Sequence, residues 1–125
     1  MKKFGVETTF VDTSNLDEVK KAIKQNTKVV YVETPGNPTL CISDLEEISK
    51  IAHKNNALVV VDNTFMSPAL QNPLALGADV VMHSLTKFLN GHADVVGGIV
   101  VVKDEPTYLN FRKTLNQTSG VIDPL

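Results

Sequence analysis

The chain has 125 residues, a length that fits one domain, and its 42% of hydrophobic residues is enough to form a core. The net charge of −2, without a cluster of lysines and arginines, argues against a nucleic-acid partner, and the longest apolar runs are too short to span a membrane. The single cysteine, Cys41, excludes an internal disulfide and a cysteine-based zinc site, and we expect it to be a small apolar filler.

The N-terminal residues carry positive charge but are not followed by an apolar run, so we expect no signal peptide. This feature and the absence of an apolar run long enough for a membrane segment favour a cytoplasmic location.

The apolar pattern changes its period several times along the chain, from helical spacing to unbroken β-branched runs. Continuous apolar strands that are separated by helices are typical of a mainly parallel sheet with helices on both faces, so we predict an α/β fold. In chain order, the pattern predicts a helix over 15–24, a strand over 28–33, a helix over 44–55, strands over 57–62, 79–84 and 97–103, and a helix over 105–116.

Two of the predicted helices begin with residues that favour an N-cap. Ser14 or Asn15 precedes the first helix. Ser43 lies three residues before Glu46, a spacing that predicts a capping box at the start of the second helix.

In a parallel sheet of this kind the ligand site lies beyond the carboxyl ends of the strands. Asp62 ends the run Val59-Val60-Val61, so its carboxylate is expected at that edge. An Asp in this position is more often only a turn or helix-cap residue, and the functional alternative is a fixed anion for a cationic ring nitrogen, a metal or a phosphoryl group.

Ser84, Thr86 and Lys87 follow the third predicted strand within four residues. Two hydroxyls and an ammonium group can bind a phosphate, whereas a lone lysine in such a loop is more often simply exposed. Because the apolar Phe88 and Leu89 follow directly, we expect the Lys87 amine to be desolvated, which favours imine chemistry. The three histidines lack metal-ligand spacing, so no metal site is expected.

The runs VETPGNPT, VVVDNTFMSP and PLALGADVVMHSLTKFLNGHADVVGG resemble, in this order and spacing, the pyridoxal-phosphate enzymes of cysteine and methionine metabolism, the trans-sulfuration family. The similarity is continuous over about residues 28–103. It implies the large domain of an aspartate-aminotransferase-like fold, pyridoxal 5′-phosphate as the cofactor, and a homo-oligomer, a tetramer of dimer pairs, for the full-length enzyme.

The resemblance also implies a role for each matching residue. Lys87 would bond covalently to the cofactor aldehyde and later act as the proton shuttle, and Asp62 would pair with the pyridine nitrogen. The remaining implied cofactor contacts are Ser84 and Thr86 at the phosphate, Asn37 near the ring 3-hydroxyl, and Thr64 on the same wall of the pocket. Phe88 departs from the tyrosine common in the family, which we interpret as a packing change.

Several parts of the family's site have no match in this sequence. A stacking aromatic residue, a phosphate-binding loop and a tyrosine–arginine pair from a neighbouring subunit would precede the matched segment, and the substrate-carboxylate arginine would follow it. Arg112, the one arginine of the chain, does not match that motif. We therefore expect residues 1–125 to be a central part of the large domain, without the C-terminal small domain, and to be inactive alone.

The implied activity is carbon–sulfur bond cleavage in cystathionine or a related sulfur amino acid, a small-molecule substrate. A synthase or sulfhydrylase of the same family, which replaces the gamma substituent, would use the same residues. A receiver-like signalling domain is the alternative from another class, since it too places an Asp, a hydroxyl and a lysine at strand ends. Against it, Lys87 lies only three residues after Ser84, and no acidic pair ends an earlier strand.

Overall fold

The computed structural model describes residues 2–118 and 120–122, and its central feature is a four-stranded sheet. The strands are β1 (Val29–Glu33), β2 (Leu58–Asp62), β3 (Val80–Ser84) and β4 (Gly98–Val102). The α-helices are α1 (Leu16–Ala22), α2 (Leu45–Lys54), α3 (Ser67–Leu70) and α4 (Glu105–Thr118), with a 3-10 turn at Lys2–Phe4 and a π-helical turn at Leu85–Leu89.

The strands lie in the order β1-β2-β3-β4, with β1, β2 and β3 parallel and β4 antiparallel to β3. In this register Glu33 pairs with Asp62, and Asp62 pairs with Met82. Three consecutive strands therefore end at the same edge of the sheet, as the prediction of a mainly parallel sheet required. The last strand reverses its direction because the π-helical turn and its loop bring the chain back beside the end of β3.

Helix α2 covers one face of the sheet. Its apolar residues Leu45, Ile48 and Ala52 recur at helical spacing and are buried. They pack with the inward-facing valines Val32, Val59, Val61 and Val81 in a single core cluster.

The opposite face of the sheet is open over much of its area. Val29, Tyr31, Leu58 and Val100, which we call the open face, are each about half exposed. These residues share a face because side chains alternate along each strand and the register aligns them across neighbouring strands. Asp62 and Met82 belong to this same face.

The helix caps agree with the prediction at α1 and differ at α2. The Asn15 side chain accepts hydrogen bonds from the backbone N–H groups of Asp17 and Glu18, so Asn15 is the N-cap of α1. At α2 the N-cap is Asp44, which accepts from the backbone N–H of Glu47 at 3.0 Å. The predicted capping box at Ser43 is therefore wrong, because the Ser43 hydroxyl instead lies 2.7 Å from that of Thr13.

The surface loops hold two further differences from the sequence prediction. Cys41 is exposed rather than a buried filler, because the loop between β1 and α2 runs over the surface there. The short helix α3 was not predicted, since four residues give no measurable period.

Across residues 2–118 and 120–122, no helix combines the length and apolar character that a membrane span requires.

Candidate active site

Asp62 ends β2 at the edge of the sheet where the parallel strands terminate, and its side chain is partly buried. The backbone N–H of Thr64 donates a 3.0 Å hydrogen bond to Asp62 Oδ1. One carboxylate oxygen is thus fixed by the turn that follows the strand. This agrees with the turn interpretation of Asp62, and it also orients the carboxylate for a ligand.

The other carboxylate oxygen of Asp62 contacts Tyr31, a residue that the sequence analysis missed. The Tyr31 hydroxyl lies 3.2 Å from Asp62 Oδ2 and 3.0 Å from the sulfur of Met82. Desolvation of the hydroxyl, followed by the charge and hydrogen bond of Asp62 and the charge of Glu33, raises the pKa of Tyr31 to about 12. The phenol therefore stays a neutral donor at any physiological pH.

A signal for Tyr31 was present in the sequence. Tyr31 lies two residues before the end of its strand, as Val60 does before Asp62, and the two strands pair in parallel. The diagonal neighbour of Asp62 on the same face is then residue 31, and an aromatic ring is long enough to bridge that separation.

A side-chain to backbone hydrogen bond joins the loops that follow β2 and β3. Thr64 Oγ1 accepts a 2.8 Å hydrogen bond from the backbone N–H of Ser84. Since Thr64 also bonds Asp62 through its backbone, the three predicted site residues Asp62, Thr64 and Ser84 form one connected group.

Lys87 lies in the π-helical turn that follows β3. Its backbone angles, φ −99° and ψ −126°, are not helical and interrupt this turn, and its carbonyl accepts a 2.9 Å hydrogen bond from the N–H of Gly91. The Lys87 side chain is exposed, so the expected desolvation by Phe88 and Leu89 is wrong. The reason is that Phe88 and Leu89 are themselves exposed. The Phe88 ring packs edge-on against the Phe65 ring, with ring centroids 6.0 Å apart.

Thr86 connects the turn that carries Lys87 to Gly97, the residue that directly precedes β4. Its Oγ1 accepts a 3.1 Å hydrogen bond from the N–H of Gly97 and lies 3.4 Å from the Gly97 carbonyl oxygen. The same carbonyl accepts a 2.9 Å hydrogen bond from the N–H of Leu85. A distance of 3.4 Å exceeds the usual range for a hydroxyl donor, so the Thr86 proton is weakly engaged and free to turn to an anion.

Asn37 lies four residues beyond the end of β1, at the same edge of the sheet, with an exposed side chain. Its backbone N–H lies 3.3 Å from a carboxylate oxygen of Glu33, which pairs with Asp62 across the sheet. Asn37 thus lies at the same edge of the sheet as the connected group, with its side-chain amide exposed.

Two of the histidines, His83 and His53, point away from this group or lie far from it. His83 precedes Ser84 but shares the face of Val81, and it is buried on the side that α2 covers. His53 pairs with Asp79 at 2.9 Å near the opposite ends of the strands. In the part of the chain that the structure describes, no group of three or more His, Cys, Asp or Glu residues is arranged to hold a metal ion.

The sequence is similar to curated enzymes along almost its whole length. It is 56% identical over 124 residues to an L-methionine gamma-lyase of Fusobacterium nucleatum subsp. polymorphum and 51% identical over 124 residues to a cystathionine gamma-lyase of Bacillus subtilis (strain 168). These matches cover 98% and 99% of this chain but 31% and 33% of those proteins, so the chain spans about a third of their length.

The fold is shared with solved structures as well. The crystal structure of cystathionine gamma-lyase from Lactobacillus plantarum complexed with L-serine matches 98% of this chain, and this chain covers 32% of that one, with a TM-score of 0.96 and 43% sequence identity. The sequence model of the family described as Cys/Met metabolism PLP-dependent enzyme matches residues 1–125. The chain therefore belongs to the family of Cys/Met metabolism PLP-dependent enzymes.

Proposed function

We propose that the enzyme containing this chain is a pyridoxal-phosphate-dependent carbon–sulfur lyase that acts on cystathionine or a related sulfur amino acid by gamma-elimination. The observation that carries the proposal is the grouping of an anion, hydroxyl groups and an exposed lysine at one edge of the sheet, from Asp62 to Lys87. The names of the similar proteins, a methionine gamma-lyase and two cystathionine gamma-lyases, support the reaction class.

The chemistry of these residues fits the cofactor. Asp62 offers a fixed carboxylate for a cationic ring nitrogen. The hydroxyl of Ser84 lies at the end of the neighbouring strand β3 and that of Thr86 in the turn that follows it, where a phosphate would be held. Lys87 supplies an accessible amine for the aldehyde, and Asn37 and Thr64 offer an amide and a hydroxyl to the ring's other polar groups.

When bound, the cofactor supplies a protonated ring that withdraws electrons from the substrate alpha carbon. Asp62 would lie beside that charge and favour it, since a donor is within hydrogen-bond distance of each of its carboxylate oxygens. Lys87 would hold the cofactor through Nζ and, once the substrate amine has replaced it, would accept the proton from the substrate alpha carbon. Thr86 orients the lysine turn by accepting a hydrogen bond from the Gly97 N–H, and its own proton would be available to the phosphate.

A second candidate is a gamma-replacement enzyme of the same family, a cystathionine gamma-synthase or homoserine sulfhydrylase. The residues at the sheet edge fit both reactions, because lyase and synthase differ in what captures the substrate after the thiol or another group has left. The receiver-like alternative loses its support, since the match to an enzyme family extends over all 125 residues.

We further propose that residues 1–125 form the central part of a larger cofactor-binding domain and that the complete enzyme is a cytoplasmic homo-oligomer, a tetramer of dimer pairs. The share of the relatives that the chain spans, 31% to 33%, supports the first part. The exposed free thiol of Cys41 is in keeping with a reducing compartment.

Borohydride reduction of the complete enzyme, followed by peptide mapping, tests the assignment of Lys87. We expect the pyridoxyl group on Lys87 in the wild-type protein and in Lys103→Arg, a control at an exposed lysine beyond β4. Lys87→Arg should carry no adduct and should lose turnover. An adduct on any other lysine of the wild-type protein would contradict the assignment.

The reaction type is tested with the same preparation. Cystathionine alone should yield a 2-oxo acid and ammonia if the enzyme is a lyase. A parallel assay uses an activated homoserine as the substrate together with an added thiol and measures the rate of gamma-replacement. If that rate is much higher than the rate of 2-oxo acid release, the enzyme is better described as a synthase or sulfhydrylase.

A further inference from the structure

The hydrogen-bond partners of Asp62 include one side chain from a neighbouring strand, Tyr31. Asp62 Oδ1 is held by the backbone N–H of Thr64 at 3.0 Å, while the Tyr31 hydroxyl approaches Oδ2 at 3.2 Å. Each carboxylate oxygen thus has a donor within hydrogen-bond distance, and the single Tyr31 proton, which also reaches the Met82 sulfur, has the charged carboxylate as its stronger acceptor. A carboxylate with one donor retains rotation about its terminal torsion, whereas two donors on different oxygens fix the plane of the group.

The sheet register is what brings the tyrosine to Asp62. Tyr31 pairs with Val60 on β2, so it lies diagonally across from Asp62 on the same face. Asp62 in turn pairs with Met82 on β3, whose sulfur lies 3.0 Å from the Tyr31 hydroxyl. The tyrosine side chain therefore extends from β1 across β2 toward β3, and its hydroxyl is located between the two partners.

We propose that Tyr31 is a positioning residue for Asp62: its hydroxyl orients the carboxylate and stabilises its negative charge, so that Asp62 can hold a cationic ring nitrogen. This inference rests on the proposed function, because it takes Asp62 as the partner of the cofactor ring. Half of the tyrosine side chain is exposed, yet the hydroxyl stays protonated because its pKa is well above the physiological range. Tyr31 consequently acts as a donor and not as an acid or base.

The direction of the effect follows from the charge on Asp62. A donor to Oδ2 stabilises the negative charge of the carboxylate that would lie beside a cationic ring nitrogen. Loss of the hydroxyl would remove that stabilisation and weaken both cofactor binding and electron withdrawal. The substrate's own contacts are untouched, so its KM should change little.

The test compares Tyr31→Phe with Tyr108→Phe in the complete enzyme. Tyr108 is the other tyrosine of the chain and is a matched control, since it lies on α4 and is 50% exposed, against 52% for Tyr31. We expect Tyr31→Phe to raise the cofactor Kd of the apoenzyme and to lower kcat, each by about three- to tenfold, the effect of losing one long hydrogen bond to a charged group. Tyr108→Phe should match the wild-type protein in both.

The same substitution made in an Asp62→Asn protein distinguishes a failure of this inference from a failure of the proposed function. Asp62→Asn should by itself weaken cofactor binding and reduce turnover severely, and adding Tyr31→Phe to it should change the cofactor Kd by less than twofold. If Asp62→Asn is severe but Tyr31→Phe equals the Tyr108→Phe control, the role of Tyr31 is wrong while the proposed function stands. An equal loss from Tyr31→Phe in both backgrounds would also overturn the role, because the effect would then not pass through Asp62. If Asp62→Asn binds the cofactor and turns over normally, both proposals fail.

Discussion

The Thr86 hydroxyl oxygen lies 3.1 Å from the backbone nitrogen of Gly97, and this contact joins the turn that carries Lys87 to the residue that directly precedes β4. A second hydrogen bond, from the N–H of Leu85 to the Gly97 carbonyl, closes the same junction at 2.9 Å. A Cβ on Gly97 would meet the flexible end of the Ile122 side chain, which would have to move. The lysine turn is therefore hydrogen-bonded to the backbone of a residue that is not itself among the predicted site residues.

Thr86→Val should loosen this junction while leaving its shape almost unchanged. The valine has the size of threonine but cannot accept from the Gly97 N–H, and a hydrogen bond of this kind contributes about 1 kcal/mol. We expect amide hydrogen exchange at Gly97 to speed up about fivefold and the cofactor to bind more weakly. Thr86→Ser keeps the hydroxyl and should restore slow exchange; equal exchange in the wild-type protein and Thr86→Val would show that the contact is not formed in solution.

The N-cap of α2 gives a prediction about stability. Asp44→Ala removes the acceptor of the Glu47 N–H and should cost about 1 kcal/mol, seen as a lower Tm and faster amide exchange at Glu47. Asp44→Asn preserves a capping oxygen and should lose far less. Glu46→Ala should leave the cap intact, because Glu46 is not paired with Ser43 in a capping box; a Tm loss from Glu46→Ala as large as that from Asp44→Ala would contradict this account.

Most of the regular structure could be predicted from periodicity. The four strands and the three longer helices begin and end within two residues of the predicted bounds, since β-branched runs and helical spacing are local signals. The capping error at Ser43 has a different origin. Its hydroxyl is taken by Thr13, thirty residues away in sequence, and no local pattern reports such a contact.

Some residues of the candidate site could also be predicted from local sequence patterns. Asp62 and Ser84 end their strands and Thr86 follows one, so a search at strand ends finds them. Tyr31 and Gly97 matter through the pairing of strands. The sequence shows that Tyr31 lies two residues before the end of its strand, but the diagonal contact with residue 62 follows only once the pairing register, a tertiary property, is known. The exposure of Lys87 was mispredicted because the orientation of Phe88 depends on Phe65 in another loop.

The raised pKa of Tyr31 predicts how stability depends on alkaline pH. The folded-state pKa is about 12, above the value of about 10 expected for an unfolded chain, so the folded protein binds this proton more tightly. The resulting stabilisation is complete below pH 10 and is lost as pH rises through 12. Urea midpoints measured between pH 9 and 12 should fall more steeply for the wild-type protein and Tyr108→Phe than for Tyr31→Phe. Parallel curves for all three proteins would contradict the assignment of the shift to Tyr31.

The last prediction concerns the 125-residue chain expressed alone, which we expect to bind the cofactor weakly at most and to show no turnover. Catalysis requires the substrate carboxylate to be held so that the alpha C–H bond is aligned with the cofactor ring, and such positioning is worth about 7–11 kcal/mol of a barrier. Arg112, the one arginine, lies on α4 with an exposed side chain and does not match the family's carboxylate-binding motif.

The open face of the sheet gives a second reason to expect no turnover from the chain expressed alone. Val29, Leu58 and Val100 are 48–49% exposed, and an apolar surface of this kind on a sheet favours self-association. We would purify the chain, measure its association state by sedimentation, add pyridoxal phosphate and cystathionine, and follow release of the 2-oxo acid. A relative of full length serves as the positive control. Turnover within about tenfold of that control, which corresponds to a barrier difference of only about 1.4 kcal/mol, would show that the groups held by residues 1–125 suffice for the chemistry.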